Sequence, residues 1–84
     1  MTPPTLATIQ DAVVEILKDV SRRPIEPTLE SDLIADLGFD SLQIMETIAA
    51  LEDRFDVSVP PEQVQEARTV RQVIARLGAL VEAP

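Results

Sequence analysis

The sequence offers few side chains capable of covalent or acid–base chemistry. It contains no Cys and no His, which removes disulfides, thiolate chemistry, thiolate zinc sites and the commonest general base. Hydroxyls, carboxylates and Lys18 remain. Among these, Ser41 stands out by its setting in Asp36-Leu37-Gly38-Phe39-Asp40-Ser41-Leu42, where a glycine-bearing turn runs into a helix. Asp40 can cap the helix and Gln43, three residues on, can reach back to the cap. Ser41 then lies inside the first turn, beside unpaired backbone amides and the positive end of the helix dipole, which is favourable ground for a covalently held phosphate. The plain alternative is that Asp40-Ser41 merely starts a helix. A hydrolytic or transfer enzyme built on Ser41 would have only a carboxylate as base. Glu52 and Asp53 are adjacent in sequence and project in adjacent directions, which suits a solvated face better than an acid/base pair.

The elements that must position Ser41 follow from apolar spacing. Leu6, Ile9, Val13, Ile16, Leu17 and Val20 recur at threes and fours, predicting a first helix over about 5–20, with Thr2 or Thr5 as cap and Pro3 and Pro4 before or within its first turn. Pro24 and Pro27 stop it near Ser21. A long connection to Phe39 follows, too apolar for a free linker. Ile25, Leu29, Leu33, Ile34, Leu37 and Phe39 are expected to pin it across the molecule, with Ser31 or Asp32 starting one helical turn that stops at Gly38.

The second helix is expected over about 41–55. At 100° per residue, Ile44, Ile48, Leu51 and Phe55 form the core stripe, and Gln43, Ala50 and Arg54 form a back edge. On the side of Ser41 lie Leu42, Met45, Glu46, Ala49, Glu52 and Asp53, an acidic and apolar mixture suited to docking on basic surfaces with an apolar centre. The bland counterpart is an ordinary core flank with a solvated acidic edge. Asp56 to Pro60 breaks the helix, and Pro61 opens a short third helix over 61–66 with Glu62 in its first turn. Thr69 to Gln72 reads as a capping box for a fourth helix bearing Val70, Val73, Ile74, Leu77, Leu80 and Val81 on its apolar side and fraying from Gly78 to Pro84. The expected fold is therefore all-α: a small four-helix bundle of three longer helices and one short helix, with a long loop between the first two.

With 84 residues the chain makes one domain, spanning 1–84 with an ordered core over about 5–82. A hydrophobic fraction of 45% with Phe39 and Phe55 as the only aromatics gives a globular core of Leu, Ile and Val. No apolar run reaches membrane-span length and the start lacks a signal peptide's pattern, so the expectation is a cytoplasmic protein with no membrane association. Seven basic and fifteen acidic residues give a net charge of −8. Ten of the acids fall between Glu30 and Glu66 against one base, Arg54. Nucleic acid is an unsuitable partner for such a field, which steers instead toward basic patches on proteins.

Four helices in this order, the long loop, and Asp-Leu-Gly-Phe-Asp-Ser-Leu at the start of the second helix together resemble the acyl carrier proteins. The resemblance also includes Leu51-Glu52-Asp53-Arg54-Phe55, Val59-Pro60 and Thr69-Val70. It implies that a phosphopantetheinyl transferase, using magnesium, moves 4′-phosphopantetheine from coenzyme A onto Ser41, whose arm then holds acyl groups as thioesters. The chain would be a carrier and not a catalyst, consistent with its lack of Cys and His. Asp40, Leu42, Met45, Glu46, Ala49, Glu52 and Asp53 would meet acyl-loading, condensing and tailoring enzymes with basic docking patches, the carrier itself being a monomer. Phe39 before the Asp-Ser pair resembles polyketide carriers more than fatty-acid carriers. An aminoacyl carrier of nonribosomal assembly, a fatty-acid carrier, and an acidic helical adaptor with no prosthetic group are the competing readings.

Overall fold

The protein is described by a computed structural model covering residues 5–82. It contains four helices: α1 (Leu6–Val20), α2 (Ser41–Phe55), α3 (Pro61–Glu66) and α4 (Val70–Glu82). Each long helix begins where a side chain can take the orphan amides of its first turn. The Thr5 hydroxyl accepts from Thr8 N–H at 3.1 Å to start α1. Thr2, Pro3, Pro4 and Pro84, which also figure in the expected helix ends, lie outside the described residues. At α4, Thr69 Oγ1 accepts from Gln72 N–H and Gln72 Oε1 accepts from Thr69 N–H, both at 3.2 Å, the reciprocal cap that the sequence predicts.

The core is assembled around α1, which packs against both α2 and α4. Ile9, Val13, Ile16 and Leu17 of α1 meet Leu51 of α2 and Val70, Val73, Ile74 and Leu77 of α4. The long connection after Ser21 contributes Leu33, Leu37 and Phe39 as fully buried members, with Ile25 and Leu29 partly buried. Its backbone is tied to the start of α4. Leu33 N–H donates to Arg68 C=O at 2.8 Å, Val70 N–H to Ser31 C=O at 3.1 Å and Arg71 N–H to Leu29 C=O at 2.9 Å. Asp32 starts the expected helical turn by accepting from Ile34 N–H at 2.9 Å and Ala35 N–H at 2.8 Å through Oδ1. Ser31 instead holds the preceding bend, accepting from Thr28 N–H. The turn stops at Gly38, whose φ of +72° is the left-handed geometry that glycine adopts without strain.

Three expectations are corrected. The buried face of α2 is Gln43, Thr47 and Leu51, while Ile44, Ile48 and Phe55 are only partly buried. A buried Gln and Thr are tolerated because both are bonded: Gln43 closes the cap of α2, and Thr47 Oγ donates to Gln43 C=O at 2.9 Å. Ile34 does not pin the loop. It is 58% exposed, because the turn that Asp32 caps directs Leu33 and Leu37 inward. Gly78 does not fray α4, which continues to Glu82. It is a close-approach position, where a Cβ would stand 3.3 Å from Leu6 Cδ2.

Two residues near the ends of α2 set opposite expectations. Asp56, the C-cap of α2, has φ 54°, a left-handed conformation that glycine adopts more readily than aspartate. Asp56→Gly will raise the unfolding free energy by a few tenths to about 1 kcal/mol. Gly38→Ala will lower it by about 1–2 kcal/mol, since it forces a Cβ into left-handed geometry, and that Cβ would stand 2.7 Å from Arg23 Nη2. Urea unfolding of both variants against the parent checks sign and size.

Candidate functional site

The start of α2 is held by a complete capping box. Gln43 N–H donates to Asp40 Oδ1 at 2.8 Å, and Asp40 N–H donates to Gln43 Oε1 at 3.1 Å. Gln43 Nε2 also reaches Val20 C=O at 3.5 Å, so the end of α1 steadies the same turn. Because Asp40 takes the capping role, the Ser41 hydroxyl is left uncommitted. It is exposed at the first helical position and makes no hydrogen bond among the described residues. The Ser41 and Leu42 amides belong to the first turn, where an anion would find donors and the positive helix end.

Ser41 also stands on the lip of a mostly apolar groove of about 850 Å³. Ile44, Met45, Ile48, Ala49 and Glu52 continue its α2 side; the rest comes from Asp32, Leu33, Ile34, Val59, Ala67 and Arg68. The partly buried Ile44 and Ile48, expected to be core, are thus groove walls. Leu42 and Met45 are 57% and 66% exposed, among the largest apolar exposures in the molecule. With exposed Asp40, Glu46, Ala49 and Asp53 they make one continuous acidic and apolar surface from Ser41 along α2. Glu52 behaves differently. It is half-buried, and its Oε2 accepts from Val59 N–H at 2.8 Å, tying α2 to the segment before α3.

Sequence reasoning missed the groove and two of its residues, Asp32 and Arg68. Asp32 is held below its ordinary value of 3.8, first by the Ala35 N–H, then by the Ile34 N–H, with a smaller contribution from the Arg68 guanidinium. Arg68 Nε lies 3.8 Å from Asp32 Oδ2. Among the described residues there is no group of three His, Cys, Asp or Glu arranged to hold a metal ion. None of the described helices is long and apolar enough to cross a membrane.

The family model described as "Phosphopantetheine attachment site" matches residues 11–77. The chain is 41% identical over 76 residues to an acyl carrier protein of Streptomyces coelicolor, covering 90% of this chain and 80% of that one. The chain belongs to the acyl carrier protein family. An acyl carrier protein of an Exiguobacterium species is 44% identical over 71 residues, 83% of this chain and 85% of the relative. Among solved structures, hexanoyl acyl carrier protein from the actinorhodin polyketide synthase of Streptomyces coelicolor matches with a TM-score of 0.67 at 31% identity, covering 99% of this chain and 98% of that one.

Acyl carrier proteins with this domain carry 4′-phosphopantetheine. The residues of this carrier fit the group. An exposed hydroxyl with no partner among the described residues, first-turn amides and an adjoining apolar groove occur at one place, and α2's own cap does not compete for the hydroxyl.

The Asp32 turn gives this carrier an acid-sensitive point. A carboxylate whose folded pKa is depressed adds stability above its unfolded pKa and loses it as pH falls through the folded value. Asp32→Asn will therefore lower the melting temperature at pH 7. The gap between variant and parent will narrow as pH falls below about 4. Melting curves of the two proteins at pH 7 and pH 3 measure this; a gap that does not change with pH would contradict it.

Proposed function

We propose that Ser41 carries the 4′-phosphopantetheine arm and that the protein presents acyl groups to the enzymes of polyketide or related secondary-metabolite assembly. The observation that carries the reading is the uncommitted Ser41 hydroxyl at the first position of α2, on the lip of an apolar groove. Attachment joins Ser41 Oγ to the phosphorus next to the pantetheine, adenosine bisphosphate leaves from coenzyme A, and the serine proton passes to a base of the transferase. When bound, the arm supplies the thiol that this Cys-free chain lacks and holds an acyl group on it as a thioester. The chain's own residues fix the attachment point, offer amides to its phosphate and dock the partner; they perform no acyl chemistry.

Partner enzymes meet this carrier along α2. Exposed Leu42 and Met45 supply an apolar centre, and Asp40, Glu46 and Asp53 surround it with negative charge, suiting a basic docking patch around an apolar hollow. Glu52 contributes less, because its carboxylate is engaged with Val59 N–H. The polyketide assignment draws on Phe39 of the Gly-Phe-Asp-Ser motif and on the likeness to the actinorhodin synthase carrier. The carrier is read as acting as a monomer.

Incubation with coenzyme A, magnesium and a broad-specificity phosphopantetheinyl transferase will add the mass of one phosphopantetheinyl group to the intact chain, and Ser41→Ala will add none. A folded parent chain that gains no mass would favour a helical adaptor. Loading with acyl and with aminoacyl donors then separates polyketide or fatty-acid carriers from aminoacyl carriers. Glu46→Lys and Met45→Glu will each lower kcat/KM of the transferase about tenfold at low salt, equivalent to about 1.4 kcal/mol, while moving the melting temperature little. The Glu46→Lys effect will shrink in high salt as charges are screened. Unchanged kcat/KM in both variants would rule out α2 as the docking face.

A further inference from the structure

We infer that Arg68 selects what lies in the groove, favouring an acyl chain with a neutral carbonyl oxygen remote from its thioester over a saturated hydrocarbon chain. The inference rests on Ser41 as the attachment point and concerns the class of cargo held beside it.

The groove's volume, about 850 Å³, falls within the range of small-molecule sites, and its walls are chiefly aliphatic. Its polar residues differ in how far their hydrogen-bonding capacity is used. Asp32 Oδ1 is taken by the amides of Ile34 and Ala35, and Glu52 Oε2 by the amide of Val59. Both are acceptors and neither can donate to a guest. Arg68 is the reverse. A guanidinium has five N–H donors, and among the described residues that of Arg68 makes only the 3.8 Å approach to Asp32 Oδ2, too long for a hydrogen bond.

The backbone of Arg68 is nevertheless fixed. Its C=O accepts from Leu33 N–H at 2.8 Å, and its N–H donates to Gln72 Oε1 at 2.7 Å. The side chain, 73% exposed, is thus a free cationic head on an anchored stem at the groove's edge. A hydrocarbon guest makes no use of these donors. A ketone oxygen reaching them gains a charge-assisted hydrogen bond. Asp32 decides between a ketone and a carboxylate: it already balances the charge of Arg68, and Glu52 adds a second negative group on the same lining. A guest carboxylate would enter a site that is net negative, whereas a neutral carbonyl meets open donors without like-charge repulsion.

The experiment uses the full chain loaded at Ser41 through the transferase with three groups: octanoyl, an octanoyl chain with a ketone near its far end, and suberyl, which ends in a carboxylate. Loading is first verified by intact mass, and melting temperature is then read against the holo protein. The ketone-bearing chain will raise the melting temperature by on the order of 3 °C more than octanoyl, with suberyl giving the smallest gain. Arg68→Leu will abolish the ketone's advantage and keep the octanoyl gain; Arg68→Gln, which retains an amide donor, will keep part of the advantage. In the parent loaded with the ketone, the Arg68 Nε–H resonance will shift more than in the octanoyl form. Equal gains for ketone and octanoyl in the parent, survival of the ketone's advantage in Arg68→Leu, or a larger gain for suberyl than for the ketone overturns the inference while Ser41 attachment stands. Failure to load Ser41 overturns both.

Discussion

The reciprocal bond between Asp40 and Gln43 is the interaction on which the geometry of the site depends. A helix fixes the direction of every side chain once its first residue and its rotation are fixed, because each step turns 100°. The box fixes the first residue. Gln43 fixes the rotation, because the side chain that closes the box also reaches Val20 C=O at the end of α1. A Gln that is 6% exposed would be costly if either end of its amide were unpaired, and here both ends have partners. With Gln43, Thr47 and Leu51 turned toward α1, Ile44 and Ile48 rotate to the groove, Leu42 and Glu46 to solvent, and Met45 to the exposed rim between them. Ser41 is exposed and uncommitted for the same reason.

A second constraint comes from the long connection between α1 and α2. Backbone polar groups in a segment carrying buried Leu33, Leu37 and Phe39 need partners, and three find them at the entry to α4: Leu33 N–H donates to Arg68 C=O, while Ser31 C=O and Leu29 C=O accept from Val70 N–H and Arg71 N–H. This pairing brings residues far apart in sequence to one groove. It also explains why Arg68, unremarkable among the chain's basic residues, stands near Asp32 with its backbone held and its head free.

What could be read in the sequence was the chemistry of near neighbours. The caps at Asp40 and Thr69, the stop at Gly38 and the cap at Thr5, one of two threonines the sequence offered, each depend on partners within a few residues, and the structure places them accordingly. The exposed first-turn position of Ser41 was legible for the same reason. The rotation of α2 was not, because apolar periodicity assumes that polar residues face water. The partner that lets Gln43 turn inward, Val20 C=O, is 23 residues away. Gly78 and Glu52 were misjudged or half-understood in the same way: the close approach of Leu6 and the amide of Val59 are contacts between segments. The groove and Arg68 belong to this class, since a space between elements has no signature in any one of them.

The distribution of packing suits a carrier more than a maximally stable bundle would. Cohesion is concentrated where α1 meets α2 and α4, around Ile9, Val13, Leu17, Leu51 and Val70, all nearly inaccessible to solvent. On the other side α3 is six residues long, and Pro60 at its N-cap offers no side-chain bond. A helix that short has little stability of its own and depends on what it packs against. Filling the groove with larger side chains would bury more apolar area, at about 25 cal/mol per Å², but would remove the space beside Ser41. Leaving it open costs some of that burial, while the core built around α1 keeps the start of α2 fixed. The molecule therefore combines a fixed helix start with an open groove, and Ser41 stands where the two meet.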